Sequence, residues 1–229
     1  MFEDLVFPGV AVDNWQMMQW EKIALTGLLS RIKPKGAMEI GVYHGGSLSL
    51  TWQYSEHIVA IDIDPEVANR VNCPPNVDLR IGSSVTLVPE VLREFVAADR
   101  SLNFVLIDAD HSREGVRRDI ELVLQYEPRE PMLILMHDSG NPETRRGILE
   151  ANWAANPRLK FIDCDFVPGQ IIEHSVSDGR GEVWGGLALA YLDADLRTGA
   201  VEIRESARSS VRSLHYCMDK LNQIDSAAA

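Results

Sequence analysis

The chain has 229 residues and a formal net charge of −12, from 22 basic against 34 acidic side chains. A surface this acidic repels polyanions, so the composition argues against nucleic acid and against an anionic membrane as partners. Apolar residues make up 45% and charged residues 24% of the chain, which are ordinary values for one globular domain. We therefore expect a single domain that binds a small molecule. The sequence is compatible with either a monomer or a homo-oligomer, because nothing in it bears on oligomeric state.

Signals for export, membrane insertion or disulfide formation are lacking. The first residues, Met1-Phe2-Glu3-Asp4, do not form the basic start of a signal peptide, and no apolar run approaches the ~18 residues of a membrane span. Cys73, Cys164 and Cys217 are widely separated and contain no C-x-x-C pair, so neither a disulfide framework nor a zinc site is indicated. These features predict a cytoplasmic protein.

Helices and strands are predicted to alternate over the first two thirds of the chain. An amphipathic helix is expected from Asp13 to Ile32, where an Asp/Asn cap precedes apolar residues at helical spacing. The predicted strands are Ala37–Val42, Ile58–Asp62, Val77–Ile81, Phe104–Asp108 and Met132–Met136. The predicted helices that follow them are Ser47–Ser55, Pro65–Asn72, Leu87–Ala98, Ser112–Tyr126 and Glu143–Asn156. Short apolar strands separated by helices indicate a mostly parallel sheet covered on both faces.

The pattern changes in the last third of the chain. Leu159–Ile172 and Val183–Leu192 are both strand-like with no convincing helix between them, which predicts an antiparallel hairpin at the edge of the sheet. Val201–Ile224 is predicted as a closing helix. We find no repeat or linker, so residues 1–229 are expected to form one α/β domain with an N-terminal helical cap over residues 1–34.

In an open parallel sheet, ligands bind beyond the carboxyl ends of the strands, and the first such end is a glycine-rich turn. It spans Glu39–Ser47 and contains Gly41, His44 and Gly45. Glycines allow a sharp turn and a close approach to a ligand, and the next helix offers free N–H groups. The turn does not match the dinucleotide fingerprint, because Tyr43 stands where the second glycine belongs. Taken alone, it fits a ligand loop and tight packing equally well.

Polar residues also end the second and third strands. Asp62 follows an apolar strand, and a carboxylate at that place suits two ribose hydroxyls, because it can accept both hydrogen bonds. The alternative is that Asp62 caps the next helix, but Asp64 before Pro65 fits that role better. Gly82 and Ser83 follow the third strand, where they suit the edge of an adenine without being specific for it.

The fourth and fifth strands each end in acidic and imidazole side chains. Asp108, Asp110 and His111 follow one strand, and His137 and Asp138 follow the next. Carboxylates that converge at neighbouring strand ends can hold Mg²⁺ or a similar cation. The alternative is that each acid only caps the helix that follows.

In this order and spacing, the strand-end residues resemble the class I S-adenosylmethionine-dependent methyltransferases. The resemblance covers roughly residues 35–140, and its positions are Glu39, Gly41, Gly45, Ser47, Asp62, Asp108, Asp110 and His111. Within that superfamily, the Asp-Ala-Asp-His and His-Asp-Ser ends are similar to metal-dependent O-methyltransferases of the catechol and caffeoyl-CoA type and of the macrolide and aminocoumarin sugar type. Cephalosporin hydroxylase-like proteins resemble the same layout. The implied fold is Rossmann-like, with residues 35–140 as the cofactor-binding half and residues 141–229 as the substrate-side half.

The resemblance also implies a role for each site residue. The residues implied to contact S-adenosylmethionine are Glu39, Gly41, His44, Gly45, Ser47, Asp62, Gly82, Ser83 and Asp108. A divalent cation, by this resemblance Mg²⁺, would bind Asp108, Asp138 and His137. His137 departs from the sugar-type pattern, which has an acid at this position. An imidazole suits softer ions better than it suits Mg²⁺, so the choice of metal is open. His111 occupies the position of the catalytic base, a role that a neutral imidazole can fill near neutral pH.

These expectations lead to one functional hypothesis and two alternatives. The hypothesis is O-methylation of a small hydroxylated metabolite, a sugar or a phenolic natural product. The alternatives are a hydroxylase-like enzyme of the same fold and a non-catalytic module that binds the cofactor. Five arginines lie near the proposed mouth of the site: Arg113, Arg117, Arg118, Arg145 and Arg146. They could bind an anionic group of the substrate, or they could simply lie on solvated helix faces.

Overall fold

The computed structural model describes residues 6–7, 9–10, 15–173 and 181–228. In this part of the chain, the strands are β1 (Ala37–Ile40), β2 (Ile58–Asp62), β3 (Val77–Ile81), β4 (Phe104–Ile107), β5 (Met132–His137), β6 (Leu159–Val167), β7 (Gln170–Glu173), β8 (Gly181–Trp184), β9 (Leu187–Leu192) and β10 (Glu202–Arg204). The helices are α1 (Gln19–Ile32), α2 (Gly46–Tyr54), α3 (Val67–Arg70), α4 (Ser84–Ala97), α5 (Arg113–Val123), α6 (Pro142–Glu150) and α7 (Arg208–Ala228). Of the helices described, none has the length and apolar character needed to cross a bilayer.

Eight of these strands form one sheet in the order β10-β6-β9-β5-β4-β1-β2-β3, and β7 pairs with β8 in a separate two-stranded sheet. Strands β5, β4, β1, β2 and β3 are parallel. Strand β9 runs antiparallel between β5 and β6. The chain therefore has a Rossmann-like, mostly parallel sheet with an antiparallel pair towards one end, as the sequence predicts.

Two apolar cores cover the two faces of the sheet. In β4, Val105 and Ile107 pack into one core, whereas Phe104 and Leu106 pack into the other. Successive side chains of a strand point to opposite faces, so a strand buried on both sides must be apolar throughout. This accounts for the uninterrupted apolar run that precedes Asp108 in the sequence.

The structure corrects the prediction for residues 159–224 in three places. The expected strand from 159 to 172 is divided into β6 and β7 by Pro168-Gly169, and the expected strand from 183 to 192 is divided into β8 and β9 by Gly185-Gly186. Both glycines of the second break have positive φ angles, 71° and 89°, which a continuous strand does not allow. The residues expected to begin the last helix instead form β10, which runs parallel to β6.

The first helix is also shorter than predicted. It begins at Gln19, and the expected cap, Asp13-Asn14, lies outside the described residues. The side chain of Glu21 accepts a hydrogen bond from the backbone N–H of Met18 and so satisfies one of the free donors at this end of the helix. The start of α1 is thus fixed by a side chain that the sequence analysis did not single out.

Candidate active site

A cavity of about 800 Å³ lies at the carboxyl ends of the parallel strands. Residues that end all five strands line it, namely Gly41, Asp62, Gly82, Asp108 and His137. The segment before α1, the two-stranded sheet and the turn after β8 also line it, through Gln16, Met18, Ile172, Trp184 and Gly185. The cavity is therefore where the strand-end rule places a ligand site.

The glycine-rich turn after β1 is held tightly against the neighbouring strand end. Gly41 has a φ angle of 91°, and a Cβ atom there would lie 2.0 Å from the carbonyl oxygen of Asp108. One carboxylate oxygen of Asp62 accepts hydrogen bonds from the backbone N–H groups of Val42 at 2.8 Å and Tyr43 at 3.0 Å. Asp62 therefore shapes the turn as well as lining the cavity, and a side chain at position 41 would push two strand ends apart.

Glu39 lies buried behind this turn. The hydroxyl of Ser47 donates a hydrogen bond to its Oε1 at 2.7 Å, whereas its Oε2 has no hydrogen-bond partner among the described residues. Burial raises the pKa of Glu39 from 4.5 to about 8, and the hydrogen bond from Ser47 opposes this rise only in part. The group therefore favours its protonated form in the ligand-free fold, and a cationic ligand beside its unpaired oxygen would favour the ionised form instead.

The other two predicted residues of the turn do not line the cavity. Gly45 has a φ angle of 75° and precedes α2, and a Cβ atom there would lie 2.9 Å from the side chain of Val71. His44 packs edge-on against Tyr43, with ring centroids 4.0 Å apart. Gly45 thus allows close packing, and it is Tyr43, not His44, that contributes to the cavity wall.

The cavity wall beside the end of β3 contains the cap of α4 and a second buried carboxyl group, which comes from α5. The hydroxyl of Ser83 accepts a hydrogen bond from the backbone N–H of Val85 and caps α4. Ser84 donates a hydrogen bond to Asp119 Oδ1 at 2.7 Å, and Asp119 Oδ2 has no hydrogen-bond partner in the described part of the chain. Both Ser84 and Asp119 line the cavity beside Gly82 and Ser83, so this end offers acceptor groups to a ligand.

The ends of β4 and β5 bring four metal-binding side chains together. Asp108, His111, His137 and Asp138 each offer one ligand atom, and these atoms all lie within 4.8 Å of one another. Nδ1 of His137 is 2.9 Å from Asp108 Oδ1 and 3.3 Å from Asp138 Oδ2. Nε2 of His111 is 3.0 Å from Asp138 Oδ2 and 3.3 Å from Asp108 Oδ1. Two imidazoles thus lie between two carboxylates.

Charge attraction inside this cluster shifts the pKa values of its members. Burial would raise the pKa of Asp108, but the charge of His137 and hydrogen bonds with both imidazoles lower it to about 2. Burial would lower the pKa of His137, but the carboxylates of Asp108, Asp138 and Glu21 raise it well above its usual range. The hydrogen bond with Asp108 raises the pKa of His111. In the absence of a cation, the imidazoles therefore balance the charge of the carboxylates.

Local backbone structure aims these side chains at the cavity. Asp138 has a φ angle of 55°, a left-handed conformation that aspartate adopts more readily than most residues, and its Oδ1 accepts a hydrogen bond from Gly185 N at 2.6 Å. Ser112 begins α5 by accepting a hydrogen bond from Gly115 N. Asp110 accepts a hydrogen bond from Ser112 N and lies 3.5 Å from Arg118, so it serves the start of this helix.

Two residues that the sequence analysis did not assign to the site contact the cluster. Glu21 is fully buried, and its Oε1 lies 3.4 Å from His137 Nε2. A signal for it exists, because Glu21 shares the buried stripe of α1 with Leu25 and Leu29, where an acid is out of place. Trp184 packs edge-on against His111, with ring centroids 5.6 Å apart, and nothing in its sequence surroundings points to this role.

Four of the five arginines near the proposed mouth are paired with acids outside the cavity. Arg113, Arg117 and Arg146 form surface ion pairs with Glu150, Glu114 and Glu143. Arg145 is buried and pairs with Asp165 and Glu205, which ties α6 to β6 and to the segment before α7. Arg118 lines the cavity.

The segment that carries most of this site matches a known family of domains. Residues 38–139 match a family model described as "Methyltransferase domain". The matched segment runs from β1 to the end of β5, so it contains the glycine-rich turn and all four members of the cluster. Residues 38–139 therefore resemble a methyltransferase domain. A search of curated proteins finds no match.

Solved structures with the same fold include ligand-bound O-methyltransferases. The chain is similar to the O-methyltransferase from Bacillus cereus in complex with SAH, with 17% identity, a TM-score of 0.54, and coverage of 78% of this chain and 83% of the other. It is also similar to the O-methyltransferase TomG from Streptomyces achromogenes, involved in tomaymycin synthesis and solved in complex with SAM, with 14% identity, a TM-score of 0.54, and coverage of 83% and 85%. At these identities the likeness establishes the fold.

The raised pKa of Glu39 predicts a pH-dependent penalty on the stability of the ligand-free protein. Its carboxyl group binds a proton more tightly in the folded state, so its contribution to stability is fully present below about pH 4.5 and is lost as pH rises through about 8. Glu39→Gln removes this titration. Between pH 5 and pH 8, the free energy of unfolding of the variant should rise relative to wild type by on the order of 3 kcal/mol, as measured by urea unfolding in EDTA.

Glu56→Gln is the matched control, because Glu56 is exposed. Its stability difference from wild type should not change over the same pH range. A Glu39→Gln difference that is equally constant would show that Glu39 is ionised in the ligand-free fold, against this account.

Proposed function

We propose that the protein transfers the methyl group of S-adenosylmethionine to a hydroxyl oxygen of a small molecule, and that a divalent cation assists the transfer. The observation that carries this proposal is the convergence of Asp108, His111, His137 and Asp138 in the same cavity as the glycine-rich turn. The match to a methyltransferase domain supports the cofactor, and the donor set supports the cation.

The cofactor would lie along the strand ends from the β1 turn to β3. Gly41 allows close approach of the backbone. Oδ2 of Asp62 already accepts two hydrogen bonds from the turn and Oδ1 accepts one from Asp64 N, so Oδ1 keeps one lone pair for a ribose hydroxyl. Gly82 and Ser83 line the cavity and would border the adenine end of the cofactor. Glu39 would interact with the cofactor through its unpaired oxygen, and Ser47 would hold Glu39 in place. His44 and Gly45 would contribute only by shaping the turn.

The residues that would hold the cation are Asp108, His137 and Asp138. Two carboxylates are a usual protein contribution to a Mg²⁺ site, in which waters or substrate supply the other ligands. The imidazole makes Mn²⁺ or another transition ion equally suitable. When bound, the cation lowers the pKa of the acceptor hydroxyl, and S-adenosylmethionine supplies an already activated methyl group. The chain must then orient the hydroxyl and remove its proton.

His111 is the group we assign to the removal of that proton. A cation bound by Asp108 and Asp138 would replace the positive charge of the imidazole and so favour its neutral form, which can accept a proton. Its side chain is 37% exposed, whereas that of His137 is 7% exposed, so His111 faces the cavity from the edge of the cluster. Trp184 packs against the imidazole of His111 and limits its movement. Met18, Ile172 and Trp184 give this side of the cavity an apolar wall, which suits the ring of a phenolic acceptor or the apolar face of a sugar.

A second candidate function is hydroxylase-like chemistry on the same fold. The observation in its favour is that two imidazoles and two carboxylates surround one point, since a pair of histidines with a carboxylate also suits Fe(II). Such an enzyme would bind the metal but transfer no labelled methyl group to any acceptor.

A transfer assay with radiolabelled S-adenosylmethionine tests the proposed reaction. Because TomG is described as involved in tomaymycin synthesis, the acceptor panel should include hydroxylated natural products together with simple phenols and sugars. We expect labelled product from at least one hydroxylated acceptor, loss of most activity in EDTA, and recovery with Mn²⁺ or Mg²⁺. Transfer that is insensitive to EDTA would refute the role of the cation, and metal binding without transfer would favour the second candidate.

Exchange of His111 for alanine tests its assignment as the base. His111→Ala should lower kcat by about 10²- to 10⁴-fold, because the proton then has no positioned acceptor, while the affinities for S-adenosylhomocysteine and Mn²⁺ change little. Calorimetric titration and steady-state kinetics give these values. His57→Ala, whose imidazole lies away from the cavity beside Phe95, is the control and should retain full activity. A large loss of Mn²⁺ affinity in His111→Ala would instead identify His111 as a metal ligand.

A further inference from the structure

Glu21 connects the first helix to the centre of the candidate metal site. It is the acidic side chain in the first turn of α1, and it is fully buried. Its charge has no lysine or arginine partner among the ion pairs of the described residues; His137 is the cationic side chain that it contacts. A buried carboxylate in contact with an imidazole calls for an explanation beyond packing, since such a group is costly to bury.

The two nitrogens of the His137 imidazole face different partners. Nδ1 faces the cluster, at 2.9 Å from Asp108 Oδ1, whereas Nε2 faces away from it, at 3.4 Å from Glu21 Oε1. Nε2 is buried and makes no hydrogen bond to the described part of the chain. A histidine that binds a metal through one nitrogen commonly donates a hydrogen bond from the N–H of the other nitrogen to a carboxylate. This bond fixes both the tautomer and the orientation of the ring.

From this arrangement we infer that Glu21 is a positioning residue for the metal site, which holds the His137 imidazole with Nδ1 towards the cation and Nε2–H towards its own carboxylate. This inference rests on the proposed function, because it requires the cluster to bind a divalent cation. It adds a residue from outside the matched methyltransferase domain to the site.

The backbone contacts of Glu21 support the same role. Oε2 accepts a hydrogen bond from Met18 N, and Oε1 accepts one from Gly186 N. The neighbouring Gly185 N donates to Asp138 Oδ1 at 2.6 Å. One turn between β8 and β9 therefore braces Glu21 and Asp138 together. Held from two sides, the carboxylate has little freedom to turn away from His137.

Metal affinity measured without turnover is the direct test. Mn²⁺ is titrated into wild type, Glu21→Gln and the control Glu56→Gln, and free Mn²⁺ is followed by its paramagnetic resonance signal. We expect Glu21→Gln to weaken Mn²⁺ binding about 10- to 100-fold, because the neutral amide orients the imidazole less strongly. The affinity for S-adenosylhomocysteine should change little. The melting temperature in EDTA should fall by no more than the loss of one backbone hydrogen bond to this side chain explains, and Glu56→Gln should match wild type.

A double-mutant cycle separates positioning from a general structural effect. If Glu21 acts through His137, Glu21→Gln should weaken Mn²⁺ binding much less in a His137→Ala background than in wild type. Should Glu21→Gln fail to fold, Glu21→Asp, which keeps the charge but withdraws it by one methylene, takes its place in the same cycle.

Each outcome bears on a different claim. Equal Mn²⁺ affinity in wild type and Glu21→Gln would overturn the role of Glu21 alone, and so would additive effects in the cycle. A parallel loss of Mn²⁺ affinity, cofactor affinity and melting temperature would show that Glu21 is only structural. No Mn²⁺ binding by wild type would overturn the metal site of the proposed function and the inference together.

Discussion

The site depends on the adjacency of two parallel strands. Because β4 and β5 pair in parallel, their carboxyl ends lie side by side, and the acids that follow them must share one small volume. Asp108 and Asp138 would repel each other there without a positive charge between them. His111 and His137 provide that charge in the ligand-free fold, and they occupy the space where a cation would compete for the same oxygens.

The remaining elements of the site hold this arrangement in place. The Gly41 turn packs against the carbonyl of Asp108, so the turn proposed for the cofactor and the cluster proposed for the cation share one backbone contact. From the other direction, the turn between β8 and β9 donates to Asp138 and to Glu21. The late strands and the first helix, which lie outside the matched domain, thus complete a site that the parallel strands begin.

Much of the fold and the central cluster follows from local sequence patterns. The apolar runs that precede Asp62 and Asp108 predict buried parallel strands, and the strand-end rule then places their acids in one crevice. Helical periodicity places Glu21 on the buried stripe of α1 but does not show what it contacts, and no local pattern points to Trp184, because the contacts of both residues join segments far apart in the chain. The division at Gly185-Gly186 and the strand at β10 were missed for a related reason, since both depend on pairing partners that periodicity does not reveal.

The central claim is that one cavity binds the cofactor at the β1 and β2 ends and a cation at the β4 and β5 ends. A crystal structure of the protein soaked with S-adenosylhomocysteine and Mn²⁺ tests it most directly, since the anomalous signal of manganese locates the ion. We predict the ribose at Asp62 and the ion bound by Asp108, His137 and Asp138. An ion elsewhere, or a cofactor outside the glycine-rich turn, would contradict the account.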